Sequence, residues 1–242
     1  MNFAEWEPVY EAILAAFGFP RAADEAAREE LAELFSPHAF DRDRLRTLAG
    51  ETVVVAGAAP SLPDDLDRIG EQDVVIGAST AVDTLLDAGI EVDLMTTDLD
   101  KNPTTVRRLT AAGVPVAIHA HGDNRTLLRE VVPDLPEEHI LATTQAAPRA
   151  GVENYGGFTD GDRAAFLADG VGARKLKLVG WGFEDSTASP IKRRKLVWAE
   201  RLLYWLETRR EEAFDVLENR RKGIDRSALP VEWRFGTHNR EE

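Results

Sequence analysis

The chain has 242 residues and a formal net charge of -14, from 43 acidic against 29 basic residues. It contains no cysteine, which excludes disulfides, thiolate catalysis and Cys-ligated zinc or iron–sulfur sites. A surface with this excess of negative charge repels nucleic acids and anionic membranes, so we expect neither as a partner.

Composition and hydropathy favour a cytoplasmic protein with one catalytic domain. No apolar run approaches the roughly 18 residues of a membrane span, and the N-terminal segment lacks the basic region and cleavage site of a secretory signal. Acid-rich, lysine-poor chains are typical of salt-loaded cells, where salt screens self-repulsion, so we expect a halophilic source. Because Asp is common in such proteins, only clusters of carboxylates at strand ends are informative.

Residues 1–48 are predicted to form a helical N-terminal region. Trp6, Val9 and Ile13 recur at the spacing of a helix face, and a second helical stretch covers 24–35. The α/β pattern begins after this region.

Residues 49–188 are predicted to form an α/β catalytic domain. Short β-branched runs alternate with helical segments, a pattern typical of a mostly parallel, doubly wound sheet of about six strands. The runs are 52–56, 73–77, 93–97, 115–119, 140–144 and 176–180. In such a sheet the carboxyl ends of the strands lie along one edge, so the polar motifs that follow them should converge in one crevice.

The apolar spacing after residue 188 predicts a long amphipathic helix at 189–222, packed on the catalytic domain, followed by a polar tail at 223–242. The first turns of this helix carry four cations, from Lys192 to Lys195, where the helix dipole disfavours positive charge. Either surface carboxylates of the protein or the triphosphate of a nucleotide would compensate this charge.

The first strand leads into the motif GAAPSL, which starts at Gly57 and includes Pro60 and Ser61. Ser61 and Asp64 have the spacing of a capping box at the start of a helix. A glycine turn that enters a helix presents main-chain N–H groups to an anion, which predicts phosphate contact here. The alternative is an ordinary tight turn, because the motif matches neither GxGxxG nor GxxxxGK[ST].

The third strand is followed by TDLDKN, with carboxylates at Asp98 and Asp100. If extended geometry continues, alternation places both on one side, where like charges are costly without a cation between them. Mg²⁺ held by these carboxylates and by substrate phosphates would satisfy them. The alternative is a solvated acidic turn.

The fourth strand ends in HAHGDN, which includes His121, Asp123 and Asn124. The motif is similar to the HxHxD element of zinc hydrolases, but Asn124 stands where a further histidine is needed. We therefore expect His121, Asp123 and Asn124 to contact substrate or metal, with His119 partly buried as the last residue of the strand.

The motif GGFTDGDR, from Gly156, is predicted to be a loop that enters a helix. Thr159 and Asp162 have capping-box spacing, which would explain one carboxylate. Capping does not explain Asp160 or the adjacent glycines, which would let the backbone approach a ligand. Asp160 and Asp162 are thus a second candidate pair for a metal.

Taken together and in this order, GAAPSL, TDLDKN, HAHGDN, GGFTDGDRA, GWGFE and the KxxKL helix start resemble the archaeal 6-hydroxymethyl-7,8-dihydropterin pyrophosphokinases. The resemblance covers nearly the whole chain. It implies a thiamin-pyrophosphokinase-like fold, with ATP and a reduced pterin as partners, Mg²⁺ as cofactor and AMP as a product. It also implies that metal-holding carboxylates lie at these positions: Asp98, Asp100, Asp123, Asp160 and Asp162.

The chemistry of diphosphate transfer, considered apart from the resemblance, suggests roles for further residues. Asp123 or His121 would accept the proton of the attacking hydroxyl, beside Asp98 and Asp100. The residues expected to bind ATP are Gly57, Pro60, Ser61, Thr159, Lys192 and Lys195. The residues expected to bind the pterin are Asn124, Thr144 and Gln145.

Several questions stay open at the level of sequence. The product could serve a folate or a methanopterin route, and the protein could form a homo-oligomer. Because Asp98-Leu99-Asp100 is a DxD element, a metal-dependent glycosyltransferase is the main enzymatic alternative. A non-catalytic nucleotide-binding protein is the alternative from another class.

Overall fold

The computed structural model describes residues 1–36, 38–185 and 187–233. Its centre is a six-stranded sheet in the order β5-β4-β3-β2-β1-β6, in which every neighbouring pair is parallel. The strands are β1 Thr52–Ala56, β2 Val74–Ala78, β3 Leu94–Thr97, β4 Val116–Ala120, β5 Ile140–Thr144 and β6 Lys175–Val179. The predicted α/β class and strand number are confirmed.

The α-helices in the described residues are α1 Phe3–Phe17, α2 Arg21–Glu33, α3 Leu62–Asp65, α4 Ala81–Asp87, α5 Pro103–Ala111, α6 Arg125–Val131, α7 Asp160–Gly170 and α8 Pro190–Arg210. Short 3₁₀ helices cover Arg42–Thr47, Leu66–Arg68, Val132–Asp134, Glu137–His139, Asp215–Leu217, Arg221–Gly223 and Arg226–Ala228. None of the helices in this described part of the chain has the length and hydrophobicity of a membrane span.

The helices cover both faces of the sheet, because alternate strand residues point to opposite faces. Val53 and Val55 of β1 lie in one hydrophobic core with α1, α7 and α8. Val54 and Ala56 lie in a second core with α2 to α6. Because all six strands are parallel, the loops that follow them lie along one edge of the sheet. The strand order reverses between β1 and β6, and open α/β folds bind ligands outside this edge at such a reversal.

The N-terminal region is helical, as predicted. The side chain of Asn2 caps α1 in a capping box with Glu5, and Trp6 and Ile13 are buried against the sheet. Gly18 ends the helix in the left-handed conformation, with φ of 70°. The chain then turns directly into α2, which contacts β4, β5 and α6.

The C-terminal helix is shorter than predicted, because α8 ends at Arg210 and not near residue 222. Glu211 takes a left-handed φ of 52° and interrupts the helix. Phe214 and Leu217, which supported the longer helix, are buried in the irregular segment that follows. Part of the predicted tail also packs, since Leu229 is buried, while residues 234–242 lie outside the described part.

Candidate active site

The carboxyl edge of the sheet opens into a cleft of about 600 Å³. The cleft brings together most of the residues predicted from the motifs: Gly57, Pro60, Asp98, Asp100, His121, Asp123, Gln145, Thr159, Asp160, Lys192 and Lys195. Four predicted residues do not line it: Ser61, Asn124, Thr144 and Asp162.

Asp98 and Asp100 are close together for a different reason from the one predicted. Strand β3 ends at Thr97, so strand alternation does not extend to them. Leu99 between them is buried and takes a left-handed φ of 70°, and the main-chain N–H of Asp100 donates to Asp98 Oδ1 at 3.2 Å. A left-handed leucine costs about 1–2 kcal/mol, and such strain is often found at functional sites.

The pKa values of Asp98 and Asp100 in this turn, and of the nearby Asp160, are shifted in opposite directions. Burial alone would raise the pKa of Asp98, but hydrogen bonds from His121 and Asp100 and the charge of Arg163 hold this pKa well below its usual range. Burial and the neighbouring Asp98 raise the pKa of Asp100. The same two causes raise the pKa of Asp160 to about 8. Division of this kind arises where like charges share a site without a cation.

These carboxylates fit the protein's share of a magnesium site. Among residues 1–36, 38–185 and 187–233, no group of three or more His, Asp and Glu side chains is arranged to hold a metal by itself. Mg²⁺ in phosphoryl-transfer sites usually takes one or two carboxylates and completes its shell with phosphates and waters. One or two of the carboxylates of Asp98, Asp100 and Asp160 would therefore suffice for a cation that arrives with a polyphosphate.

Asp162 has a structural role. Its capping box with Thr159 is confirmed, and the residue is fully buried. Its oxygens accept hydrogen bonds from the main-chain N–H of Phe158 at 2.5 Å, from that of Thr159 at 2.9 Å and from the Thr159 hydroxyl. These contacts give no support to the prediction that Asp162 binds metal, because the loop that starts α7 already occupies its carboxylate.

The glycines at the cleft are needed for packing. A Cβ on Gly57 would lie 2.7 Å from the Gly180 carbonyl oxygen, and one on Gly161 would lie 2.8 Å from the Trp181 ring. Gly157 has a φ of 89°, and its Cβ would meet the backbone of Arg163. The interpretation that glycines near α7 exist for ligand approach is thus replaced by turn geometry and close contact.

The predicted capping box at Ser61 is absent. Ser61 makes no side-chain cap hydrogen bond, and α3 is only four residues long. Instead, the next acidic residue, Asp65, accepts a hydrogen bond from the main-chain N–H of Gly180 at 2.9 Å and ties the β1 and β6 loops together. Gly57 and Pro60 of this loop do line the cleft.

Asn124 and Thr144 form hydrogen bonds to main-chain groups of the loops around the site. Asn124 is buried, and its Nδ2 donates to the carbonyl oxygens of Asp98 at 2.9 Å and His119 at 2.7 Å. Its Oδ1 accepts from the main-chain N–H of His121 at 3.0 Å. The Thr144 hydroxyl accepts from the N–H of Ala146 at 3.1 Å. Both side chains fix loops and neither lines the cleft, so these contacts give no support to the prediction that they bind the pterin.

His119 is fully inside the protein, where only partial burial was expected. Burial, followed by the charge of Arg163, lowers the pKa of His119 well below its usual value. Its Nδ1 lies 3.1 Å from the Thr143 hydroxyl. The ring is packed inside the protein beside Thr143 and does not line the cleft, so it is not placed to ligate a metal there as the zinc pattern would require.

The two lysines of α8 have different partners. Lys192 lies 3.4 Å from Asp185, so a surface carboxylate compensates this charge in part. Lys195 stands over the ring of Phe158, 5.6 Å from its centroid. Both side chains line the cleft and can offer charge to a ligand phosphate.

The sequence motifs missed several residues of the cleft wall. Arg163 pairs with Asp160 at 3.2 Å, a contact that the i,i+3 spacing on α7 could have suggested. The Trp181 indole donates to the Val55 carbonyl oxygen at 3.0 Å and lies between the β1 loop and α7. Asp24 of α2 also lines the cleft, and no local motif marks it.

Comparison with known proteins identifies the family. A family model described as 6-hydroxymethylpterin diphosphokinase MptE-like matches residues 26–187. The chain belongs to this family. The matched segment contains all the acidic motifs of the cleft, whereas α1 and the lysines of α8 lie outside it.

Three archaeal relatives carry the name 6-hydroxymethyl-7,8-dihydropterin pyrophosphokinase. The protein of Methanothermobacter thermautotrophicus is 37% identical over 224 residues, covering 86% of this chain and 96% of the relative. That of Pyrococcus furiosus is 35% identical, covering 86% and 95%. That of Methanocaldococcus jannaschii is 30% identical, covering 88% and 99%. Membership of the MptE-like family makes the chain an enzyme of the pyrophosphokinase class.

Proposed function

We propose that the protein transfers the terminal diphosphate of ATP to the hydroxymethyl oxygen of 6-hydroxymethyl-7,8-dihydropterin, with Mg²⁺, and releases AMP. The observation that carries this proposal is that one cleft contains the carboxylates Asp98, Asp100 and Asp160 together with Lys192 and Lys195. The names of the three relatives support the choice of pterin. The product would enter the synthesis of folate-type or methanopterin-type pterins.

The size and lining of the cleft suit two substrates. Its volume of about 600 Å³ lies within the roughly 300–1,000 Å³ of small-molecule sites. Phe19, Pro20 and Phe158 give part of the wall an apolar character suited to a flat ring. Gln145 also lines the cleft, and the second hydrogen of its Nε2, which Asp24 does not take, could be donated to a heterocycle.

The charge of the cleft requires a cation. A triphosphate close to Asp98, Asp100 and Asp160 would be repelled, and the lysines of α8 supply only part of the compensation. Bound Mg²⁺ would neutralise phosphate oxygens and the charge that develops during transfer. Lys192 and Lys195 would add flexible positive charge at the phosphates.

In the proposed reaction, the hydroxymethyl oxygen attacks the β-phosphorus of ATP in line with the bond to the leaving oxygen. The new P–O bond forms as that bond breaks, AMP departs with the bridging oxygen, and the hydroxyl loses its proton. The main task of the protein is to hold the two substrates in this geometry.

Asp123 suits the role of proton acceptor better than His121. His121 Nδ1 accepts the main-chain N–H of Asp123 at 3.3 Å, and Nε2 lies 3.4 Å from Asp98 Oδ2. A neutral His121 ring therefore carries its proton on Nε2, directed at Asp98, and its lone pair is already used. We assign His121 to holding Asp98, and Asp123, an exposed residue that lines the cleft, to accepting the proton.

The test is to incubate the purified protein in concentrated potassium chloride with ATP, Mg²⁺ and 6-hydroxymethyl-7,8-dihydropterin. AMP and pterin diphosphate are then measured by chromatography with mass detection. We expect equimolar AMP and pterin diphosphate from the wild type and loss of both from Asp98→Asn. Asp64→Asn is the matched control, because Asp64 is exposed and does not line the cleft.

Other products would contradict the proposal in identifiable ways. Release of ADP in place of AMP would indicate a simple kinase. If the folded protein released neither, turnover of sugar nucleotides would support the glycosyltransferase alternative. Binding of ATP and Mg²⁺ without any turnover would support a nucleotide-binding protein.

A further inference from the structure

A buried carboxylate connects the N-terminal helices to the cleft. Asp24 of α2 is 3% exposed. Its Oδ2 accepts the Tyr10 hydroxyl at 2.9 Å and Gln145 Nε2 at 2.7 Å. Its Oδ1 accepts the main-chain N–H of Gly122 at 2.8 Å. One side chain thus joins α1, α2, the loop after β4 and the end of β5.

The same chain of contacts continues to the candidate metal site. Gln145 Oε1 accepts Arg163 Nη2 at 3.3 Å, and Arg163 Nη1 pairs with Asp160 Oδ1 at 3.2 Å. Gln145 is 4% exposed and Arg163 is 8% exposed. Water therefore has little access with which to replace these hydrogen bonds, and the orientation of each group depends on its neighbours.

The donors and acceptors in this series of hydrogen bonds permit only one orientation of the Gln145 amide. An ionised carboxylate only accepts hydrogen bonds, and a guanidinium only donates them. The Gln145 amide between them satisfies both only when Nε2 faces Asp24 and Oε1 faces Arg163. The charge of Asp24 thereby fixes the direction of the amide, and the amide fixes Arg163 against Asp160.

We propose that Asp24 is a positioning residue, which acts through Gln145 and Arg163 to hold Asp160 in place for the metal–nucleotide complex. This inference rests on the proposed function, since it assigns a metal–nucleotide ligand to Asp160. Asp24 is linked to Asp160 only through the Gln145 amide and the Arg163 guanidinium. Its influence is on the geometry of Asp160 and not on the chemical step.

The test reverses the direction of the hydrogen bond between residues 24 and 145. In Asp24→Asn, the new amide can donate to Gln145, which turns Gln145 so that Nε2 faces Arg163 and their hydrogen bond is lost. In the double variant Asp24→Asn with Gln145→Glu, a carboxylate at 145 accepts from both Asn Nδ2 and Arg163. The double variant restores the pattern of donors and acceptors and conserves the net charge.

The measurement is the binding of Mn²⁺, with a non-hydrolysable ATP analogue, by electron paramagnetic resonance without pterin. We expect Asp24→Asn to weaken Mn²⁺ binding by about tenfold, the lower end of the effect of removing outer partners of metal ligands. The double variant should recover most of this loss. Leaving out the pterin keeps any role of Gln145 in pterin binding out of the readout.

Tyr10→Phe is the matched control, because it removes one donor to Asp24 but leaves the carboxylate and the amide direction intact. It should leave Mn²⁺ binding unchanged, and circular dichroism should show that every variant is folded. Equal Mn²⁺ affinity in Asp24→Asn and the wild type, or failure of the folded double variant to recover it, would overturn the proposal. So would a wild type that binds no Mn²⁺. If loss and rescue occur but no pterin diphosphate forms, the proposed reaction is refuted and the role of Asp24 stands.

Discussion

Replacement of Asp160 by Asn should make the stability of the metal-free protein less sensitive to a rise in pH towards 8. Burial, and then the charge of Asp98, raises the pKa of Asp160 to about 8, against 3.8 for an ordinary Asp. Between these two values the unfolded chain releases a proton that the folded protein retains. The free energy of unfolding contributed by Asp160 is therefore fully present below about pH 4 and is lost as the pH rises through 8.

The magnitude follows from the size of the shift. Each pH unit within this window costs about 1.4 kcal/mol, so the wild type should lose about 4 kcal/mol relative to Asp160→Asn between about pH 5 and pH 8. Asp98 does not add to this slope, because its pKa is lowered and it is ionised in both states across the window. Burial lowers the pKa of His119, so its contribution runs the other way, but it is common to both proteins and cancels in the comparison.

The assay is urea unfolding of both proteins at a series of pH values, in concentrated potassium chloride with a chelator present. The quantity compared is the difference between the two free energies of unfolding at each pH. Curves that stay parallel from pH 5 to pH 8 would show that Asp160 is ionised in the folded protein. The carboxylate cluster would then be compensated in the metal-free protein, contrary to the prediction.

Three further substitutions probe packing, the C-terminal segment and the phosphate site. Gly57→Ala should lower stability by about 1–3 kcal/mol, because its methyl would lie 2.7 Å from a carbonyl oxygen; an unchanged melting temperature would contradict this. Glu207→Gln should lower the free energy of unfolding by about 2 kcal/mol in urea titrations, because buried Glu207 accepts two hydrogen bonds from Arg221, at 2.7 and 2.8 Å. An unchanged free energy of unfolding would contradict a stabilising role for this pair. Lys195→Met should raise the KM for ATP about tenfold in the AMP-release assay, whereas the exposed control Lys222→Met should not; equal values would remove Lys195 from the phosphate site.

The sheet could be predicted from the sequence because buried parallel strands are apolar on both faces. The runs at 52–56 and 140–144 coincide with β1 and β5, and the other four differ from their strands by one residue at one or both ends. The position of the polar motifs follows from the same pattern, since loops after parallel strands must share an edge. This is why most of the predicted site residues do line one cleft.

The end of α8 could not be predicted from apolar spacing. Phe214 and Leu217 are buried, as the pattern requires, but they are buried from an irregular segment. Apolar periodicity indicates which residues become buried, but not the backbone conformation in which they are buried. The left-handed turn at Glu211 ends the helix while Phe214 and Leu217 remain buried. Asp24 could not be predicted as a site residue either, because its partner Gln145 lies far away in the chain.

The arrangement of the cleft implies that this enzyme gives up stability for function. Leu99 is held in a left-handed conformation between two carboxylates, and the half-buried Asp160 lies close to both of them. The surrounding structure holds these groups in place, since the Thr96 hydroxyl donates to the Asp160 carbonyl oxygen at 2.9 Å and Asn124 donates to that of Asp98 at 2.9 Å. Strain and repulsion of this kind persist only where neighbouring contacts determine the geometry. Relief of the repulsion at Asp160 should therefore stabilise the folded protein while it removes the charge that a metal–nucleotide complex needs, a trade-off expected of a binding site and not of a solvated acidic turn.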